Sequence, residues 1–126
     1  MTNASFWELV EPADFWTTVK SLGWGVNTTD YKAINTTLKK RGKKWCENFH
    51  TQHLKALHNL KNATLKHLGR PLCSDSFDDV TAHIIGLGEA EYDACMANPQ
   101  RVLDRMDGDE YTESFSYAVP SGYDFR

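Results

Sequence analysis

The sequence predicts a mainly α fold, a bundle of about five to six helices forming one domain over residues 1–126, with an extended C-terminal segment as the one alternative. Two observations predict it. Apolar residues recur at helical spacing through most of the chain, and Gly, Pro and capping residues fall between those periodic segments. A chain of 126 residues is long enough to bury a single core without disulfide or metal staples.

The elements follow in order. In "SFWELVEPADFWTTVKSL" Pro12 suits a first helical turn and Asp14 complements the helix dipole, which predicts a helix over 12–22 with Phe15, Trp16, Val19 and Leu22 on one face. "GWG", residues 23–25, ends it. Thr28, Thr29 or Asp30 is placed to cap a short helix through Ile34 and Leu38, and Gly42 is the next break. The longest periodic segment covers 43–68. Trp45, Phe49, Ala56, Leu57, Leu60 and Leu68 fall near one stripe, His53 and Thr64 share its line, and Gly69-Arg70-Pro71 stops it. Ser74 or Asp75 can cap the next helix, with Phe77, Val80, Ile84 and Leu87 inward and Gly88 supplying a left-handed turn at its end. "EAEYDACMANP" then puts Tyr92, Cys95 and Met96 on one face before Asn98-Pro99, and a short helix covers 100–106. At the end, Tyr111, Phe115 and Ala118 fit a helix while Phe115, Tyr117 and Val119 alternate as in a strand; helix is favoured.

The net charge of −3 conceals an asymmetry. Residues 39–70 hold nine Lys/Arg and one acid, Glu47, whereas residues 74–126 hold twelve Asp/Glu against three Arg. Such a dipolar chain can neutralise itself or present one charged face to a partner. Cys46, Cys73 and Cys95 make an odd count without close pairs, which points away from a disulfide framework and towards a reducing cytoplasm. The N-terminal stretch has neither a basic start nor an uninterrupted apolar run, so neither a signal peptide nor a membrane span is expected, and the four Asn-x-Ser/Thr sequons are read as chance matches.

Candidate chemistry is sparse. The pair Gly86 and Gly88 lacks the third glycine of a dinucleotide loop, and Glu89, Glu91 and Asp93 would repel a phosphate from the helix that follows, so helix punctuation is the better account. Cys46, His50 and His53 share a helix face, with His58, His83 or Cys73 as a fourth ligand, yet no paired metal-ligand motif is present; no metal and no cofactor are expected, and the histidines read as solvated. A thiol at Cys73 would sit among Asp75, Asp78 and Asp79, whose charges oppose thiolate formation. The acids Asp104, Asp107, Asp109, Glu110 and Glu113 carry no sign of the burial that would split their pKa values, so they read as a solvated acidic edge. "KKRGKKW" invites phosphate binding, but a pI near 5.9 is far from the footprint of a dedicated nucleic-acid binder.

The block "CSDSFDDVTAHIIGLGEAEYDACMANP", residues 73–99, carries a Ser-Asp-Ser-Phe cap, a helix, a Gly followed by an acid, a Tyr-bearing helix and a closing Asn-Pro. In these features it resembles the bacterial family called domain of unknown function 4240, and Phe15-Trp16 with the helix behind it is similar to that family's opening. The chain looks like a divergent member: Ser76 follows Asp75 where the family has a second Asp, and "PSGYDFR" has no counterpart. The resemblance implies a small, largely helical bacterial domain with no catalytic residues to carry over, of a kind associated with toxin and immunity loci. The expected function is a cytoplasmic protein-binding domain, an immunity or inhibitor protein that blocks a partner toxin or enzyme. Asp104, Asp107, Asp109, Glu110 and Glu113 would meet a basic surface, with Tyr111 and Tyr117 as aromatic anchors. An enzyme or metal-binding domain, and a nucleic-acid module using 39–70, are the alternatives.

Overall fold

Local chemistry decides where the helices begin and end. The computed structural model describes residues 12–72, 74–112, 115–121 and 125, and among these it contains seven helices. They are α1 (Pro12–Leu22), α2 (Tyr31–Lys39), α3 (Lys43–Leu68), α4 (Asp75–Leu87), α5 (Glu89–Ala97), α6 (Gln100–Asp107) and α7 (Phe115–Ala118). Of the three candidate caps for α2, Asp30 is the one used: its Oδ1 accepts from the Ala33 amide at 3.0 Å. Ser74 caps α4 in the same way, accepting from the Phe77 amide at 3.1 Å. Replacing Ser74 with alanine leaves that amide without its acceptor and is expected to lower stability by about 1 kcal/mol, read as a shifted urea midpoint with an unchanged slope.

Helix α4 is the hub. It packs against α1, α3, α5, α6 and α7, and from Val80 to Gly86 every residue is buried. The sequence reason is that 80–88 contains no Asp, Glu, Lys or Arg, and a helix without a charged face is stable only when covered all round. The 26-residue α3 instead has one buried stripe, which includes Trp45, Phe49, His53, Leu60 and Thr64. The core divides along these two helices. Phe15, Val19, Trp24, Phe49, Ile85 and Phe115 belong to one cluster, and Leu60, Phe77, Val80, Ile84, Cys95 and Val102 to the other.

Two corners differ from expectation in detail. Gly88 closes α4 and opens α5 with φ 117° and ψ 176°, a positive-φ extended conformation in place of the left-handed helical cap. That region is, for practical purposes, reserved for glycine, so the corner still requires it. Gly23 and Gly25 both have positive φ, and the tight turn they make turns Trp24, 1% exposed, into the core instead of leaving it as loop. The C-terminal segment resolves as helix at α7, a single turn, with Phe115 and Ala118 buried.

Candidate functional site

Helix α6 has a strict division of faces. Val102 and Leu103 are buried, while Asp104 and Asp107 are exposed. Its two arginines turn toward α5: Arg101 Nη2 donates to both carboxylate oxygens of Glu91, at 2.8 and 3.0 Å, and Arg105 Nε lies 3.4 Å from Glu91 Oε2. Burial alone would raise the Glu91 pKa. Hydrogen bonds from Arg101 and Cys95, and the charges of Arg105 and Arg101, outweigh it and hold the carboxyl below its usual range. The same surroundings push the Cys95 thiol up to about 11, through burial first and then the Glu91 charge, so it is neither a nucleophile nor a ready metal ligand.

Because both arginines pair with Glu91, the remaining charged side chains of α6 and the turn after it are acidic. Asp104 accepts from Gln100 Nε2 at 3.0 Å, and Asp107 makes no ion pair among the described residues. Asp109 takes φ 54°, a left-handed conformation that Asp tolerates better than most residues. Arg105 Nη1 donates to the Glu110 carbonyl at 2.9 Å, and the Glu110 amide donates to the Arg105 carbonyl at 2.8 Å, which fixes the turn while leaving the Glu110 side chain exposed. Asp104, Asp107, Asp109 and Glu110 are therefore one contiguous exposed edge. Tyr111 is half-buried against the second core cluster, so its ring supports the edge instead of standing out from it. Glu113 lies outside the described residues.

Tyr117 is 65% exposed, with its ring 5.6 Å from that of Tyr31. It lines a different feature, a 480 Å³ cavity shared with Ser116, Leu57, Lys61 and the first turns of α4, Asp75, Asp78 and Asp79. Lys61 pairs with Asp78 there and ties the basic segment to the acidic one. Behind the cavity wall, His53 Nε2 is 3.1 Å from Ser116 Oγ. This hydroxyl–imidazole pair is not arranged for catalysis. Burial, followed by the charges of His50 and Lys61, lowers the His53 pKa to about 3, and among the described residues Nδ1 has no carboxylate to stabilise an imidazolium.

The described part of the metal-ligand face does not assemble, and Cys73 lies outside the described residues. Cys46 donates to the Leu38 carbonyl, His53 is 1% exposed and turned to Ser116, and among the described residues no group of three His, Cys, Asp or Glu side chains is arranged to hold a metal ion. Reading His53 as solvated is thus overturned by its place on the buried stripe. Sequence reasoning also missed a polar junction. His83, buried in α4, uses Nδ1 to accept from Trp24 Nε1 at 3.0 Å and from the Thr112 amide at 3.3 Å, with Thr112 Oγ1 at 3.2 Å. The available signals were a histidine inside an uncharged run and a tryptophan between two glycines.

No family model matches the chain, and neither a curated protein nor a solved structure matches it. No helix among the described residues is long and apolar enough to cross a membrane.

Proposed function

We propose that the chain is a small protein-binding domain of the inhibitor or immunity type, whose acidic edge from Asp104 to Glu110 covers the basic working cleft of a partner enzyme. One observation carries the reading: Arg101 and Arg105 are turned to Glu91, leaving the acids of α6 and the following turn exposed. Oriented, unneutralised charge of this kind accelerates encounter with an oppositely charged surface and selects among partners. The buried thiols of Cys46 and Cys95 suit a reducing compartment, and the proposed location is the cytoplasm. A cognate toxin is proposed as the partner on the resemblance of residues 73–99 alone.

The test compares the tagged chain with a D107K/D109N/E110K variant in capture from a lysate of the source organism at two salt concentrations. Asn is used at position 109 because it tolerates positive φ. A basic protein held by the native chain at low salt, and weakened about tenfold or more by the variant with its melting temperature unchanged, is the expected result. Equal capture by both forms would remove the edge from the reading. Capture of nucleic acid alone would transfer the role to the basic segment.

A further inference from the structure

Thr112 is fastened to α4 through a single titratable atom. Thr112 follows the edge directly, and both its amide and its hydroxyl converge on His83 Nδ1, at 3.3 and 3.2 Å, where the Trp24 indole N–H also donates at 3.0 Å. The neutral imidazole has one lone pair at that nitrogen, so its proton resides on Nε2. A second proton can be added only at Nδ1, where it converts the shared acceptor into a donor facing two N–H groups and a hydroxyl. We infer that His83 is an acid-released latch, whose protonation detaches Thr112 from α4 while the helical core stays folded.

The surroundings set the direction. The Trp24 turn contributes Trp24 and Gly25 beside the ring, neither of them titratable, and Thr112 brings no charge; from α6, Arg105 is the charged group acting on the imidazole. Burial and then Arg105 lower the His83 pKa from 6.5 to about 4 in the closed state. An opened junction rehydrates the ring and takes up a proton nearer the ordinary value. By linkage the opening constant rises as pH falls below about 6.5, by up to tenfold per pH unit, and levels off near pH 4. Arg105 keeps Glu110 on α6 throughout, so the release is confined to Thr112 and its junction with α4, and Asp104 to Glu110 stay in place. The regulatory meaning rests on the acidic edge being the binding surface. The test below uses no partner, so the latch and that surface stand or fall separately.

Hydrogen exchange by NMR on the full chain between pH 7 and 4.5 reads the latch at two sites, the Thr112 amide and the Trp24 indole N–H, against the Phe49 and Leu60 amides of α3. Thr112 and Trp24 are expected to open more readily than α3, with a one-proton dependence of up to tenfold per pH unit; α3 amides, which open only with the whole fold, follow a steeper dependence. His83→Asn places an amide oxygen near the Nδ1 position with no proton to accept, and is expected to abolish the pH dependence at both sites. Should that variant fail to fold, the His83 ring titration in the native chain must coincide with the exchange profile. Opening of Thr112 and Trp24 with the same constant as Phe49, an unaltered pH dependence in H83N, or a ring titration unrelated to exchange would each overturn the latch.

Discussion

Replacing Gly86 with alanine is expected to destabilise the fold by about 1–3 kcal/mol, more than the loss of either helix cap, although a single methyl group in mid-helix ordinarily favours helix. The reason is space. A Cβ at position 86 would lie 2.5 Å from Trp24 Cδ1 and 2.8 and 2.9 Å from two ring carbons of Phe115. Those rings cannot retreat. Trp24 is pinned by its hydrogen bond to His83 and by the Gly23 and Gly25 turn, and Phe115 is wholly buried, packed edge-on to Trp24 at 5.2 Å and to His53 at 5.6 Å. The check is urea denaturation of G86A beside Gly88→Ala, where nothing lies within 4 Å of a new Cβ and the cost is backbone strain at φ 117°. Loss of the near-ultraviolet signal of Trp24 in G86A but not in G88A is the matching spectroscopic result. A neutral G86A would mean that α4 does not press against the Trp24 turn.

That pair of glycines also shows what a sequence can and cannot disclose. The corner at Gly88 was legible, because helix punctuation is local: caps, acidic first turns and glycines act within a few residues, and the ranges Pro12–Leu22 and Lys43–Leu68 follow from such signals. Gly86 looked like part of the same punctuation but is a seat for two rings, one of them more than sixty positions away. The His83 junction and the His53–Ser116 pair span 59 and 63 positions, and no local pattern encodes such partners. The acidic edge was legible as a run of charges. What left it unpaired, the engagement of Arg101 and Arg105 by Glu91, depends on how α5 and α6 pack. Tyr117 was singled out as an aromatic anchor, yet most of its neighbours in the cavity come from α3 and α4 and are distant in the chain.

Stability is expected to fall by about 4 kcal/mol between pH 7 and pH 5, before most carboxylates titrate. The argument uses two histidines held neutral inside the fold. His53, 1% exposed, is lowered from 6.5 to about 3 by burial and by the charges of His50 and Lys61, and His83 is lowered to about 4 by burial and by Arg105. In the unfolded chain both return to ordinary values, so from pH 6.5 downward the unfolded state binds protons that the native state refuses. A lowered histidine pKa therefore stabilises above 6.5 and costs stability as pH falls toward the folded value, at up to about 1.4 kcal/mol per unit for each ring. Glu91 adds a later loss of the same sign, since its folded pKa is held low and its ion pairs vanish as pH falls through that value. For a domain whose whole stability is of order 5–15 kcal/mol, a loss of this size is a large share of the total. Urea titrations at pH 7, 6, 5.5 and 5 in constant salt measure the slope, and ring resonances assign it. A stability that stays level from pH 7 to 5.5 would show that both imidazoles gain protons within the native structure, and would contradict the packing of His53 against Ser116 and Phe115; opening of the Thr112 junction alone removes only the His83 share.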